Sequence, residues 1–160
     1  MVVGAVLALT AAAFSIASPA QASVAQGYVM GSGAVNDDWG DEGTISSTTR
    51  NHNNVVYLWQ TVLASDGYLS SSQVDCWFGA NTKAATERWQ RDHGVEVDGA
   101  VGPETFGRAD DRLQWVLGSN SIQYNGSKTT MGGYARDANG YWYAIGYGVK
   151  ISYTSASLCG

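Results

Sequence analysis

A chain of 160 residues is long enough for one ordinary domain, or for a small domain with an extension. Nine basic against fourteen acidic side chains leave a net charge of -5 with no basic run, which excludes nucleic acid as a main partner because phosphate binding needs clustered Lys and Arg. Twenty glycines, nine tyrosines and six tryptophans describe many turns and many amphipathic rings, which suit binding surfaces and cores alike.

Residues 1–22 carry an apolar run over 2–14, then Pro19 and the small-x-small triplet Ala20-Gln21-Ala22. This reads as a secretory signal cleaved before Ser23. The run falls short of the ~20 residues that span a bilayer, so no membrane association is expected once it is removed. No Lys or Arg precedes it, which leaves open a start upstream of Met1. Residues 23–53 are rich in Gly, Ser, Thr, Asn and Asp and read as a polar linker or loose arm. Within them Asp37, Asp38, Asp41 and Glu42 surround Trp39. They resemble a calcium loop without the regular spacing of one, so a solvated loop is expected there.

Three helices follow. Val55, Leu58, Trp59, Val62 and Leu63 recur at helical intervals over 54–65, with Asp66-Gly67 as the stop. A second helix is expected over 82–93, with Ala85, Trp89 and Ala84 considered for its inner face and Gly94 ending it. A third opens at Pro103 and carries Phe106 and Ala109, while 113–117 suits helix or strand equally. After Gly118 the period changes to alternation. Val149, Ile151 and Tyr153 oppose Lys150, Ser152 and Thr154, and 141–145 forms another strand. Asn125-Gly126 and Asp137-Ala138-Asn139-Gly140 supply hairpin connections, so a small antiparallel sheet is expected over about 121–154.

One phrase occurs twice: Asp75-Cys76-Trp77-Phe78-Gly79-Ala80-Asn81-Thr82, then Asp98-Gly99-Ala100-Val101-Gly102-Pro103-Glu104-Thr105. Asp, an apolar residue, Gly and Thr stay in register, as at two equivalent loop-to-helix junctions. Gly79 and Gly102 allow the close turn, Gly102 reads as an N-cap, and Pro103 is a natural first helical residue. Thr82 and Thr105 are expected to bond back to a free amide of the first turn. Asp75 and Asp98 are expected to hold the turns by accepting backbone N–H groups, a structural rather than catalytic role.

Export would allow Cys76 and Cys159, the only two cysteines, to pair within the chain. Two free thiols or an interchain bridge remain the other outcomes. Two Cys and the scattered His52 and His93 lack the close ligand pairs of zinc motifs, so no metal and no cofactor is expected.

The elements Val56-x-x-Trp59-Gln60-x-x-Leu63, Gly67-Tyr68, Asp75-x-x-Phe78-Gly79-x-x-Thr82, Ala85-x-x-x-Trp89-Gln90, His93-Gly94 and Asp98-Gly99-x-Val101-Gly102-Pro103-x-Thr105 together resemble the three-helix peptidoglycan-binding module of bacterial wall proteins. The resemblance covers about 54–110. Cys76 stands where that pattern usually has Gly, and Ala80 where it usually has Pro. It implies a compact three-helix bundle, expected over 54–117; with the small antiparallel hairpin or meander that the alternation predicts within 118–160, the chain reads as α+β. The resemblance also implies a shallow cleft that holds wall glycopeptide without chemistry.

Sugar faces and carboxylates suit rings and helix N-terminal amides. On that ground Tyr68 and Trp77 are the candidate ligand-facing rings, and the amides around Gly79 and Gly102 the candidate carboxylate donors. Trp59, Phe78, Trp89 and Phe106 are expected in the core, Gln60 and Gln90 are read as loop supports, and Trp77 is equally suited to covering a disulfide.

Three function classes remain. The first is non-catalytic peptidoglycan binding by a secreted, wall-associated protein. The second is a wall-turnover hydrolase, disfavoured because the C-terminal region has no His or Glu and Asp137 is its only carboxylate side chain. Glu87, Glu96 and Glu104 are the acid candidates elsewhere. The third is an accessory or inhibitory protein that recruits a partner through Tyr141, Trp142, Tyr143, Tyr147 and Tyr153.

Overall fold

The computed structural model describes residues 24–160, so the signal reading over 1–22 and its cleavage point lie outside the described residues. Three helices form where the periodicity puts them. α1 (Asn54–Asp66) starts on Asn53, whose side chain accepts from the Val56 amide, and stops at Gly67 in the left-handed region (φ 85). α2 (Ala80–His93) is capped by Gly79 and ended by Gly94. α3 (Pro103–Asp110) has Gly102 as N-cap and Pro103 in its first turn. α2 begins two residues before the expected Thr82, and its inner face uses Ala85, Thr86 and Trp89 while Ala84 is exposed.

The helices close on a ring cluster. Trp59 meets Trp89 edge-on at 5.1 Å and Phe106 at 5.9 Å. Such pairs contribute about 0.5–1.5 kcal/mol each beyond their area. Trp59, Phe78, Trp89 and Phe106 are all buried.

Five short strands follow as a meander: β1 (Leu113–Trp115), β2 (Ile122–Asn125), β3 (Thr130–Arg136), β4 (Trp142–Ala144) and β5 (Val149–Lys150), in the spatial order β1-β2-β3-β4-β5. All pairs are antiparallel, with Leu113 opposite Tyr124, Tyr134 opposite Ala144 and Tyr143 opposite Lys150. The sheet thus begins at Leu113, inside the segment expected to close the helical unit at 117, because 113–115 pairs with β2 instead of extending α3. Its inner face (Ile122, Tyr124, Met131, Tyr134, Trp142, Ala144) is buried, and β2 and β3 contact α1. The alternation expected through Thr154 ends early. Beyond Lys150 the chain is covered from two sides, Tyr153 N donating to Gly27 O and Val55 N to Ser152 O, so Ser152 is buried as well as Ile151 and Tyr153.

Residues 24–53 depart most from expectation. They are not a loose arm: Val29, Val35, Trp39 and Ile45 are buried. The segment bridges four places in turn, Tyr28 to Ser152, Met30 to Tyr141, Ile45 to Val101 and His52 to Trp77. Few apolar residues suffice because Val29, Val35, Trp39 and Ile45 all face inward and the intervening backbone finds partners. Of the acidic loop, Asp37 and Asp41 are exposed as expected, but Asp38 and Glu42 are buried. Asp38 is buried against Arg136 and accepts from Trp142 Nε1, while Glu42 accepts from Tyr153 OH and Met30 N.

Candidate functional site

The doubled phrase folds into two equivalent networks, each centred on a buried glutamine. Gln60 Nε2 donates to Asp75 Oδ1 (2.8 Å), Trp77 O (2.9 Å) and Thr82 Oγ1 (3.0 Å), and its Oε1 accepts from the Asp75 and Cys76 amides. Gln90 repeats this with Asp98 Oδ1 (2.9 Å), Ala100 O (2.7 Å) and Thr105 Oγ1 (3.0 Å), its Oε1 accepting from Gly99 N. Asp75 and Asp98 each accept a backbone amide two residues on, from Trp77 and Ala100. Thr82 and Thr105 do not serve the first-turn amides as expected. Their hydroxyls accept from the glutamines, because each helix start is pressed against the helix that carries its Gln.

The match extends to the backbone. Gly99 has φ 69, and Cys76, its counterpart, has φ 63. A side chain there costs about 1–2 kcal/mol, which explains why Gly suits this position. Cys76 is bonded to Cys159, joining the first junction to the C-terminal end across 83 positions.

The candidate ligand residues separate into two places. Trp77 is 51 % exposed and lies flat on the His52 ring, centroids 3.8 Å apart. Beside it Gly79 caps α2 without any side-chain hydrogen bond. Tyr68 sits at the other end of α2, its hydroxyl donating to Asp92 Oδ2 (2.8 Å) and its ring edge-on to His93. Burial, then the Asp92 carboxylate, push its phenol up to about 12. At ~1.5 Å rise per residue the two rings are on the order of 15–20 Å apart. Gly102 belongs to a cleft of 220 Å³ lined also by Thr44, Glu96, Asp98 and Glu104. Three carboxylates disfavour an anion there, so only the Gly79 amides remain suited to a carboxylate.

Sequence reasoning missed His52, whose partnership with Trp77 depends on a bridge between distant segments. It also missed Asp66, read only as part of a helix stop. Asp66 accepts from Trp89 Nε1 (2.8 Å), Tyr124 OH (2.6 Å), Ser127 N (2.7 Å) and Arg112 Nη1 (2.9 Å). Burial opposes its charge, but the Tyr124, Ser127 and Trp89 bonds with the Arg112 charge outweigh it and hold the carboxyl below its ordinary value. Asp110 is the opposite case. Burial pushes it up to about 7 despite bonds from the Trp39 and Gly40 amides.

Among the described residues no group of His, Cys, Asp and Glu is arranged to hold a metal ion, and no helix is long and apolar enough to cross a membrane. Of the C-terminal rings, Trp142 and Tyr153 are buried, Tyr141 and Tyr143 half-buried, and Tyr147 is exposed.

Residues 52–108 match the family model described as "Putative peptidoglycan binding domain". That stretch is similar to the family's module. Comparisons with curated proteins and with solved structures gave no match. The matched module runs from His52 of the ring stack to Arg108 in α3, and includes both glutamine networks. The arm over 24–51 and the sheet lie outside it.

Proposed function

We infer that this chain is a non-catalytic peptidoglycan-binding protein, exported and held at the bacterial wall, with glycopeptide as its ligand. The carrying observation is the exposed Trp77–His52 stack beside the start of α2, whose first-turn amides no N-cap side chain engages, within a module that matches the family. A sugar or amide face can lie on the Trp77 ring while a stem-peptide carboxylate meets the first-turn amides of α2. Tyr68 marks the far end of the same helix, so a ligand touching both rings runs along α2. Glu87 is paired with Lys83, and Glu96 and Glu104 are exposed, an arrangement suited to solvation rather than to acid–base work.

The test is co-sedimentation of the chain with purified sacculi. The protein pellets, and Trp77→Ala lowers the bound fraction by about tenfold, as for an interface anchor, with unchanged circular dichroism. Sacculus turbidity and soluble reducing ends stay constant. Failure to pellet sinks the binding reading. Turnover that vanishes in Glu104→Gln establishes the hydrolase instead.

A further inference from the structure

Where β3 passes α1 the two elements leave a groove of 570 Å³. Its walls include Tyr57, Thr61 and Ser65 of α1 and Met131, Gly132 and Tyr134 of β3. Ser71 and Val74, just before the first junction, complete the lining, and the β3 wall lies outside the matched residues 52–108. Its volume falls within the ~300–1,000 Å³ typical of ligand sites.

The lining restricts the occupant. No lining residue is charged, and most carry hydroxyls. A charged ligand would find no counter-charge, and a purely apolar one would strip water from the hydroxyls without replacing it. A peptide strand cannot add to β3, because β2 and β4 already occupy both of its edges. Thr61 Oγ1 donates to Leu58 O (2.7 Å), so in its 3.2 Å contact with Tyr134 the phenol is the donor and the Tyr134 oxygen keeps capacity to accept. Among the described residues the Tyr57 hydroxyl has no hydrogen-bond partner. Burial, then Tyr147, raise the Tyr57 phenol, and the turn after β4 that carries Tyr147 is tied to β3 next to Gly132, Ile145 N donating to Gly133 O (2.7 Å). Tyr147 is 63 % exposed and offers an open ring on that turn.

We propose that the α1–β3 groove is a second ligand subsite, for a neutral N-acetylated hexosamine strand, with the Tyr57 and Tyr134 hydroxyls bonding its polar groups and the Tyr147 ring packing on a sugar face. In taking the ligand from the wall, this rests on the peptidoglycan reading above. The subsite exists only where the C-terminal sheet stands against the module, which assigns the sheet a glycan-binding task that the module does not perform alone.

The full chain is titrated with tetra-N-acetylchitotetraose, a glycan without peptide, and followed by amide chemical shifts and calorimetry. Shifts centre on Thr61 and the 131–134 segment. Tyr147→Ala weakens binding by about fivefold, one lost stacking contact. Gly132→Leu weakens it too, and is sterically free because a Cβ at Gly132 meets nothing within 4 Å. Trp77→Ala reduces sacculus pelleting, while the chitotetraose shifts of Thr61 and the 131–134 segment persist. Shifts confined to His52 and Trp77, or no shifts up to the solubility limit of the sugar, overturn the groove even if sacculi still pellet. Sugar binding at the groove without sacculus pelleting supports the groove and sinks the wall reading alone.

Discussion

Cys76 carries two opposed effects on one backbone position. Its φ of 63 is a conformation that its counterpart Gly99 adopts without a Cβ, while its sulfur closes a long loop with Cys159. Chain-entropy estimates give such a closure roughly 4–5 kcal/mol, well above the ~1–2 kcal/mol cost of a side chain in the left-handed region. The bond therefore outweighs the strain, and removing the bond exposes it. Between two variants that both lack the bridge, Cys76→Gly/Cys159→Ala is expected to be more stable than Cys76→Ala/Cys159→Ala by about 1 kcal/mol in urea denaturation. Equal midpoints would show that the position carries no strain.

At the scale of the element, each of α2 and α3 is held at its start by the glutamine of the preceding helix. Gln60 suits this because one amide both donates and accepts, and the site needs both. Gln60→Glu turns the donor into a second acceptor facing Asp75 Oδ1 and Trp77 O. Destabilisation of about 2–4 kcal/mol is expected, the range for leaving buried partners unmatched beside a like charge. The same change at Gln90 faces Asp98 Oδ1 and Ala100 O and should cost a similar amount. Thermal melts of the two variants check it, and a near-neutral Gln60→Glu would refute the donor role.

Over the whole molecule the arm, module and sheet are joined by buried carboxylates. Asp110 holds the arm by accepting from Trp39 and Gly40, Asp38 joins the arm to Arg136 and Trp142 of the sheet, and Asp66 joins α1 to β2. Burial raises Asp110 to about 7 and Asp38 to about 6, from an ordinary 3.8. For each, the folded chain binds the proton more tightly than the unfolded one. Their favourable contribution is thus complete below about 4 and is lost as pH rises through 6–7. Asp66, held low, contributes above 3.8 and is lost as pH falls below it. The melting temperature is therefore expected to be higher at pH 5.5 than at pH 8, and to fall again in strong acid. Asp110→Asn keeps an acceptor oxygen for both amides but cannot titrate, so the difference between pH 5.5 and 8 should shrink. A variant with the wild-type pH profile would remove Asp110 from the account.

Period, punctuation and repetition were legible in the chain itself. Apolar residues at helical intervals, Gly67, Gly94 and Pro103 at helix limits, and the doubled phrase are local signals, and local backbone preference is enough to read them. The Trp77 candidate was also within reach, because a ring out of phase with a core residue such as Phe78 tends to point outward. His52 beneath Trp77, Asp66 beneath the sheet and the α1–β3 groove were not legible. Each depends on segments far apart in sequence meeting in space, and no local pattern encodes such a distance. The arm misled for the same reason: its composition is polar, yet Val29, Val35, Trp39 and Ile45 all become buried once sheet and bundle offer them two surfaces at once. Sequence alone determined the helices and the kind of module, since those rest on spacing along one chain. Tertiary structure decided which rings stay open and what the C-terminal sheet faces, since solvent exposure is set only after every segment has taken its place.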